Sequence, residues 1–291
     1  MARLFCFGLG FSAEALAARL KSKGWRVAGT TRTRERAEAL VARGYEAFVF
    51  GAGAPLADAA AALLDSTHVL ISIPPDASGD PVLANHARDL SALKPLPVWL
   101  GYLSTTGVYG DHAGEWVTEQ TPVAPVSERA KRRVAAERAW AAWGTALNMP
   151  VQIFRLAGIY GPGRNQLESL REGTARRIVK PGQVFSRIHV EDIASALEAS
   201  IERPRAGAIY NVCDDEPAAP HEVVEYAARL LNLGPPPLEK FEDAARSMSE
   251  MALSFYADSK RVKNDRIKSE LGVKLRYPTY REGLAALAAG T

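Results

Sequence analysis

The sequence has few cysteines, little net charge and no long hydrophobic run, and each shortage excludes a class of protein. Its two cysteines, Cys6 and Cys213, lie in apolar strand-like stretches, so we expect buried thiols in a reducing compartment rather than a disulfide framework. A formal net charge of +3 does not favour nucleic acid as a partner. No apolar run approaches the roughly 20 residues of a membrane span. The N-terminal apolar run is at the lower limit of length for a signal peptide and is broken by glycines, so we do not expect one. We therefore expect a cytoplasmic protein with no nucleic-acid or membrane partner.

Metal ligands and an unusual composition are missing as well. No pair of His, Cys, Asp or Glu residues has convincing ligand spacing, so we predict no metal site. Hydrophobic residues make up 47% and charged residues 24% of the chain, which is the balance of an ordinary globular protein. The length of 291 residues suits either one large α/β unit or a nucleotide-binding domain with a smaller attachment.

The clearest pattern stands at the start of the chain. The apolar run Leu4–Phe7 is followed by Gly8, Gly10 and Ala13 in G-x-G-x-x-A spacing, and then by a helical pattern. The first glycine allows a sharp turn, the second lets a ligand approach the backbone, and a small third residue lets the helix pack on the strand. We predict that the helix start faces the pyrophosphate of a dinucleotide; the alternative is a turn that only bends the chain. The residues predicted to bind the dinucleotide in this turn are Gly8, Gly10, Phe11 and Ser12.

The residues after the second predicted strand, Trp25–Thr30, indicate which dinucleotide binds. An NAD site usually has an acid there for the ribose 2′-hydroxyl, whereas Arg32 precedes the first acid, Glu35, in this chain. Arg32, with Arg34 behind it, can pair with a 2′-phosphate through a charge-assisted fork. We therefore predict NADP rather than NAD. The alternative is that these arginines are the solvated first turn of the helix predicted over Thr33–Arg43.

Strand and helix patterns alternate along the first part of the chain. This alternation with short loops predicts an α/β fold of the Rossmann type, a doubly wound parallel sheet with helices on both faces. Ile73 and Pro74 stand at the end of the fourth strand, where open parallel sheets bind ligands, so we place both at the cofactor. The predicted strands are Leu4–Phe7, Trp25–Thr30, Tyr45–Phe50, His68–Ile73, Val98–Leu103, Val151–Ala157, Ser186–His189 and Ala208–Cys213.

The C-terminal part is predicted to be smaller, mainly helical and concerned with the substrate. Its pattern predicts helices over His221–Asn232, Ser259–Leu271 and Thr279–Ala289. The predicted domains are an NAD(P)-binding Rossmann core (1–160), a substrate-side segment (161–187), a return to the core (188–214) and a C-terminal substrate-binding part (215–291).

Hydroxyl side chains cluster directly after the fifth predicted strand. Ser104, Thr105 and Thr106 precede a glycine turn that contains Tyr109. A sheet of this kind presents groups at the carboxyl ends of its strands to a substrate, so Ser104 and Thr105 are the candidate catalytic residues. We assign Ala157, at the end of the sixth strand, to the cofactor. The candidate substrate residues are Tyr109, Arg164 and Asn165.

Several motifs also occur in a recognisable order. They are the glycine motif, Ser104–Gly110, Arg155–Gly163, His189–Asp192 and Tyr210–Val212. In this order the chain resembles the extended short-chain dehydrogenases/reductases, which include nucleotide-sugar epimerases and dehydratases, and it is most similar to their atypical, epimerase-like branch. The resemblance covers nearly the whole chain and implies NAD(P)-dependent chemistry. By motif position, Thr105 matches the catalytic Ser/Thr of that group.

One departure from that group concerns the helix after the hydroxyl cluster. The group carries Tyr-x-x-x-Lys there; the Tyr transfers a proton, and the Lys lowers its pKa and holds the cofactor ribose. Alignment on Ala136-Glu137 puts Arg129 at the Tyr position and Arg133 at the Lys position, and no Tyr lies between Tyr109 and Tyr160. A guanidinium stays charged and cannot shuttle a proton, whereas Arg133 can bind the cofactor. The alternative for this helix is a basic solvated face.

The segment Arg164–Arg187 is locally basic and allows two interpretations. Glu168 and Glu172 can pair with Arg171 and Arg176 at helical spacing. Alternatively, the cluster attracts an anionic substrate such as a nucleotide diphosphate sugar.

Two functions follow from the sequence. The first is an NADP-dependent oxidoreductase or epimerase/dehydratase-like enzyme acting on a small-molecule substrate. The second is a non-catalytic NADP-binding sensor or scaffold that kept the fold after losing the acid/base pair. The sequence leaves open whether the protein forms a homodimer.

Overall fold

The computed structural model describes residues 2–51 and 54–290. Within these residues, no helix has both the length and the apolar character that crossing a bilayer requires. The strands are β1 (Arg3–Phe7), β2 (Arg26–Thr31), β3 (Glu46–Val49), β4 (His68–Ile71), β5 (Trp99–Thr105), β6 (Trp116–Val117), β7 (Val151–Leu156), β8 (Gly158–Tyr160), β9 (Arg177–Val179), β10 (Arg187–His189), β11 (Ile209–Val212), β12 (Leu238–Lys240) and β13 (Arg261–Val262). The α-helices are α1 (Phe11–Ser22), α2 (Arg34–Ala42), α3 (Ala59–Leu63), α4 (Pro81–Ala92), α5 (Glu128–Ala146), α6 (Gln166–Arg171), α7 (Val190–Glu202), α8 (Pro220–Leu230), α9 (Phe241–Ala244), α10 (Glu250–Tyr256), α11 (Asp265–Ser269) and α12 (Tyr280–Ala289).

Seven strands form one sheet in the order β11-β7-β5-β4-β1-β2-β3. The pairs β1–β2, β2–β3, β1–β4 and β4–β5 are parallel. The chain moves outward from β1 to β3 and then returns to β4 on the other side of β1. Strand order therefore reverses between β1 and β4, which is the point where open α/β sheets bind their ligands. The predicted doubly wound α/β fold is confirmed.

Contacts along the chain divide it into two compact units. The first comprises Met1–Ser104, Arg132–Arg155 and Ile193–Tyr210, and the second comprises Thr105–Lys131, Leu156–Asp192 and Asn211–Thr291.

The first unit packs aromatic side chains of the sheet against its helices. Trp140 of α5 is fully buried, together with Tyr102 of β5. Its indole N–H donates to the Asp80 carboxylate at 3.0 Å, and the same carboxylate accepts the N–H groups of Val82 and Leu83 at the start of α4. A buried Trp N–H and a helix start both need partners. One side chain therefore caps α4 and fixes α5 against it.

The second unit contains two-stranded ladders and short helices. Its ladders are β8–β10, β9–β12 and β6–β13, each of them parallel. Buried side chains of α6, α8 and α12 form its core with Tyr160 of β8. Ring contacts join Tyr280 of α12 to Tyr226 of α8 at 5.8 Å between centroids.

The helix predicted over Ser259–Leu271 is wrong over most of its length. Only α11 is helical there, and β13 pairs with β6. The N–H groups of Arg261 and Lys263 donate to the carbonyls of Glu115 and Val117, both at 2.9 Å. These backbone donors are used by a strand instead of a helix, and a two-residue strand has no hydrophobic period that a sequence could show.

Candidate functional site

The turn between β1 and α1 has a backbone that only glycine accepts easily. Gly8 has φ +90°, and a Cβ at this position would lie 2.9 Å from Cγ1 of Ile73. The Gly8 N–H donates to the Thr30 hydroxyl at 2.8 Å. Glycine is therefore required here by the positive φ and by the close approach of Ile73, in the segment after β4. In that segment, Ile73 is half-buried and Pro74 is exposed.

Gly10 differs from Gly8, because nothing in the described protein fills the space beside it. Its φ of −111° suits any residue, and a Cβ there would meet no atom within 4 Å. Gly10 is the N-cap of α1, whose helical residues begin with half-buried Phe11 and buried Ser12. The first N–H groups of a helix have no acceptor within it. The absence of a side chain at Gly10 leaves room for a ligand to approach the start of this helix.

Several other helices are capped by a side chain, whereas Gly10 provides none. Caps of this kind start α2, α4 and α6, where Thr33, Asp80 and Asn165 accept backbone N–H groups. An uncapped helix start carries the positive end of the helix dipole and favours an anion.

The arginines near the end of β2 fall into two groups. Arg36 and Arg43 both bind the carboxylate of Glu14. Arg32 is exposed and makes no ion pair within the described residues. Its guanidinium is therefore available to an added anion, while that of Arg36 is already paired.

Ser104 is part of a buried polar network in the first unit. Its hydroxyl donates to Glu137 at 2.5 Å, and the same carboxylate forms a two-point ion pair with Arg155 at 3.1 and 2.7 Å. All three side chains are buried. A buried charge is tolerated when it is paired and hydrogen-bonded. This hydroxyl is thus fixed by a structural contact.

Arg133 is buried in the first unit. Its Nη1 donates to the carbonyl of Leu103 at 2.6 Å and to the hydroxyl of Tyr102 at 3.1 Å. Burial raises the pKa of Tyr102 to about 12, so this phenol stays protonated. The solvated-face interpretation is wrong for Arg133, although Lys131, Arg132 and Arg138 on the same helix are exposed.

The second unit contains a cavity of about 540 Å³. Thr105 and Ala157 line it, as do Arg164 and Asn165. Tyr109 does not line it, because its ring is fully buried and its hydroxyl donates to Asn211 at 2.7 Å. The structure thus brings together four of the predicted site residues of this unit and separates Tyr109 from them.

Thr105 and Asn165 already make local hydrogen bonds beside the cavity. The Thr105 hydroxyl accepts the N–H of Gly107 at 3.1 Å and starts the following turn. The side-chain oxygen Oδ1 of Asn165 accepts the N–H groups of Leu167 and Glu168 at 2.9 and 3.1 Å and caps α6. A hydroxyl that accepts one bond can still donate its own proton, so the Thr105 proton remains available.

The described lining residues include more cations than carboxyl groups. Asp258 is the one carboxyl group among the described lining residues, and it pairs with Lys260 at 2.8 Å. Burial raises the pKa of Asp258, and Lys260 opposes that shift. The lining cations are Arg129, Arg164, Arg176, Arg187 and Lys260.

The two interpretations of the basic segment each hold in part. Arg171 pairs with Glu168 at 2.6 Å and does not line the cavity. The expected pair of Arg176 with Glu172 is wrong, since Arg176 binds Glu239 at 2.6 and 3.0 Å. Glu239 lies on β12, which pairs with β9 directly after Arg176. Helical spacing relates only residues close in sequence, so it could not predict this ladder.

Sequence reasoning did not identify several lining residues. Lys260, Tyr256 and Tyr280 come from the C-terminal part, far along the chain from Thr105. Arg187 was named only as the end of the locally basic segment Arg164–Arg187, and it stands two residues before the His189–Asp192 motif. Within the described residues, no group of three or more His, Cys, Asp or Glu could hold a metal ion.

Comparison with known proteins gives this geometry a context. The model of the NAD-dependent epimerase/dehydratase family matches residues 88–213. Protein YeeZ of Escherichia coli K12 is 32% identical, over 96% of this chain and 97% of that protein. A solved structure of a functionally unknown conserved protein from Silicibacter pomeroyi is 50% identical, covers 100% of this chain and 99% of its own, and superposes with a TM-score of 0.89.

A more distant structure shares the fold. It is the dTDP-glucose 4,6-dehydratase of Bacillus anthracis in complex with NAD, 19% identical over 99% of this chain and 96% of its own, with a TM-score of 0.77. The full-length similarity to YeeZ, the family model and the fold agree with the motif order. This chain belongs to the NAD-dependent epimerase/dehydratase family of extended short-chain dehydrogenases/reductases.

Proposed function

We propose that this protein is an NADP-dependent enzyme of the reductase or epimerase/dehydratase type. The observation that carries the proposal is the amino end of α1. Gly8 turns the chain at φ +90°, and the space beside Gly10 is open. This end of the helix has no side-chain cap. Backbone N–H groups and a helix dipole aimed at an open space are what a dinucleotide pyrophosphate requires.

The residues around this turn fit a nicotinamide dinucleotide. Gly8 to Ser12 would hold the pyrophosphate, and Ile73 and Pro74 lie where β4 ends beside β1. When bound, the cofactor supplies or accepts a hydride. The dehydratase with the same fold carries NAD, which supports the class of cofactor. The choice of NADP depends on Arg32, whose exposed guanidinium has no ion-pair partner among the described residues and suits a 2′-phosphate.

We assign the substrate to the cavity of the second unit. Thr105 lines that cavity and can donate its hydroxyl proton to a substrate oxygen. Arg129 lines it too, at the position that the family pattern gives to Tyr. A guanidinium there would stabilise negative charge on a substrate oxygen rather than transfer a proton. Arg187 lines the cavity and has no carboxylate within 4 Å among the described residues, which favours a substrate that carries negative charge; a nucleotide sugar is one such molecule.

Arg133 stands where the pattern has Lys, but its bonds to Leu103 and Tyr102 hold it inside the first unit. We propose that it supports the end of β5 and that its contribution to the cofactor is indirect. Ser104 is held by Glu137 in the same way. Thr105 is therefore the hydroxyl that we retain as the candidate catalytic residue.

The second candidate function is an NADP-binding sensor or scaffold without catalysis. Two observations favour it. No lining His or Cys occurs among the described residues, and burial raises the pKa values of the lining tyrosines Tyr160, Tyr256 and Tyr280. These phenols stay protonated and are poor bases.

Two experiments test the proposal. A titration of intrinsic fluorescence with NADPH and with NADH should give an NADPH affinity about tenfold higher, as expected for one lost charge-assisted contact. Equal affinities would contradict the cofactor choice. Oxidation of NADPH with a panel of carbonyl compounds and nucleotide sugars should then show turnover that Thr105→Ala removes and Thr105→Ser retains. NADPH binding with no turnover on any of them would favour the sensor.

A further inference from the structure

Arg187 lines the cavity, and two N–H donors on one edge of its guanidinium are unused. Both hydrogen bonds of Arg187 come from Nη1, which donates to the carbonyls of Phe185 at 2.8 Å and Ala218 at 3.1 Å. Its Nε and Nη2 make no hydrogen bond within the described residues, and no carboxylate lies within 4 Å of it there. By contrast, Arg176 uses Nε and Nη2 on Glu239. The same edge that Arg176 uses for a carboxylate is therefore free on Arg187.

The bonds made by Nη1 fix the direction of this edge. Phe185 and Ala218 form a backbone bridge with each other, so Arg187 is held by two carbonyls of one rigid pair. The guanidinium also lies 5.9 Å from the ring centroids of Phe185 and of Tyr280. An arginine held in this way loses little further side-chain entropy when it binds a ligand.

A second donor lies beside Arg187. Tyr280 lines the cavity and is only 1% exposed, yet its hydroxyl has no hydrogen-bond partner in the described protein. A buried hydroxyl without a partner costs free energy. Burial raises the pKa of Tyr280, so the hydroxyl keeps the proton that it can donate.

The amino end of α8 lies at the same end of the cavity. Ala218, which Arg187 contacts, precedes the N-cap Ala219, and this N-cap provides no side-chain hydrogen bond. Pro220 and Val223 of this 11-residue helix line the cavity. The positive end of the helix dipole therefore adds to the charge of Arg187.

Three carboxyl groups lie near this cluster. Glu222 is in the first turn of α8, Glu216 pairs with Arg281 at 3.0 Å, and the third, Asp214, acts on Arg187. Asp214 is buried at 1% exposure and its Oδ2 has no hydrogen-bond partner among the described residues. Burial raises the pKa of Asp214 well above its usual value, and Arg187 only partly opposes that shift. Burial also lowers the pKa of Arg187, because its charge has been taken from water without a close counter-ion.

We propose that Arg187, the Tyr280 hydroxyl and the amino end of α8 form an anion subsite. It binds a planar or tetrahedral anionic oxygen group, a carboxylate or a phosphoryl group, through the Nε and Nη2 edge of Arg187. This deepens the proposed function, on which it rests, because the subsite anchors the charged end of the substrate in the cavity. The two sources of such a group are a carboxylic acid and a phosphate ester.

The experiment measures binding of two simple anions by calorimetry. Inorganic diphosphate represents the phosphoryl group and malonate the carboxylate. Titrations are done in Gly10→Val protein, in which the competing anion site at α1 is filled. We expect one of the two anions to bind, and Arg187→Met to weaken it at least about tenfold, as for a lost charge-assisted pair.

Two further variants separate binding from folding. Arg187→Lys keeps the charge without the fork and should weaken binding about three- to tenfold. Tyr280→Phe removes only the hydroxyl and should weaken it about threefold. Arg171→Met, a cation outside the cavity, is the matched control and should leave the affinity unchanged. Thermal unfolding of each variant establishes that it is folded.

Affinities unchanged in both Arg187→Lys and Tyr280→Phe, or no binding of either anion to Gly10→Val protein, would overturn the subsite. The outcome is independent of the cofactor. If wild-type protein fails to bind NADPH but the anion result holds, the proposed function fails and the subsite stands. If NADPH binds and the anions do not, the reverse is true.

Discussion

The two units differ in how they are equipped to recognise a ligand. In the first unit, the candidate cofactor site is made of backbone groups: a turn at Gly8, an open position at Gly10 and the start of α1. In the second unit, the cavity is made of side chains such as Arg187 and Tyr280, which come from separate strands and helices. A backbone site depends on a few adjacent residues, whereas a side-chain site depends on the whole fold.

This difference predicts which substitutions change stability and which change binding. The largest expected effect is on stability in the first unit, where Glu137 is buried with Arg155 and Ser104. Glu137→Gln removes the carboxylate charge that pairs with buried Arg155 and should lower the free energy of unfolding by about 3 kcal/mol or more. Urea unfolding measures it. The exposed pair of Glu168 and Arg171 gives the control, since Glu168→Gln should cost less than about 0.5 kcal/mol.

The next prediction tests whether Gly10 is required for binding rather than for folding. Gly10→Val should weaken NADPH binding about 100-fold, because its side chain occupies the space where the pyrophosphate approaches. Stability should change by less than about 1 kcal/mol, since the backbone suits any residue and the space is open. Gly234 also has open space around it, and Gly234→Val is the matched control. An unchanged NADPH affinity in Gly10→Val would contradict the account of α1.

The next prediction concerns how stability depends on pH, and it compares one buried histidine from each unit. Burial lowers the pKa values of His68 and His189 to about 4, against about 6.5 for an unfolded histidine. As the pH falls, these histidines are therefore protonated in the unfolded chain before they are protonated in the folded protein. The stability that each neutral histidine contributes above pH 6.5 is lost between about pH 6.5 and pH 4. Each histidine should account for about 2 to 3 kcal/mol of that loss.

Urea unfolding of wild type and His68→Phe at several pH values measures one of these contributions. The phenyl ring should keep the packing against Trp25 and Trp99, whose rings lie near His68. The difference in stability between the two proteins should shift in favour of the variant as the pH falls from 6.5 to 4. A difference that stays constant over this range would show that His68 is not held neutral in the folded protein.

The smallest predicted effect compares two arginines four residues apart. Arg32→Ala should reduce the preference for NADPH over NADH about tenfold, because it removes one charge-assisted contact to the 2′-phosphate. Arg36→Ala should leave the preference unchanged, since Arg36 is paired with Glu14. Parallel titrations with both cofactors provide the measurement. Equal effects of the two substitutions would mean that general positive charge, rather than Arg32, selects the cofactor.

The contrast between the units also explains what the sequence could predict. The sheet and the turn after β1 were predictable, because apolar runs, glycine spacing and a helical pattern are local. The helix predicted over Ser259–Leu271 failed because β13 pairs with β6, and the partner of a two-residue strand is not visible in its own sequence. The pairing of Arg176 with Glu239 was missed for the same reason, since β12 brings Glu239 to it from far along the chain.

The side-chain roles show the same limit. Ser104 and Thr105 are adjacent hydroxyls, yet one donates to buried Glu137 and the other lines the cavity. Arg129 and Arg133 lie one helical turn apart, and only the first lines the cavity. Which way a side chain points depends on alternation along a strand and on position around a helix. A motif match does not give that direction. Arg187 and Tyr280 could be paired only once the fold had brought β10 and α12 together.

The central claim is that the amino end of α1 holds the pyrophosphate of a nicotinamide dinucleotide. The most direct measurement is a crystal structure of the protein soaked with NADP⁺. The account predicts pyrophosphate density within about 3 Å of the first backbone N–H groups of α1, beside Gly10, and the 2′-phosphate at Arg32. Crystals that bind NADP⁺ elsewhere, or leave this turn without density at saturating concentration, would contradict it.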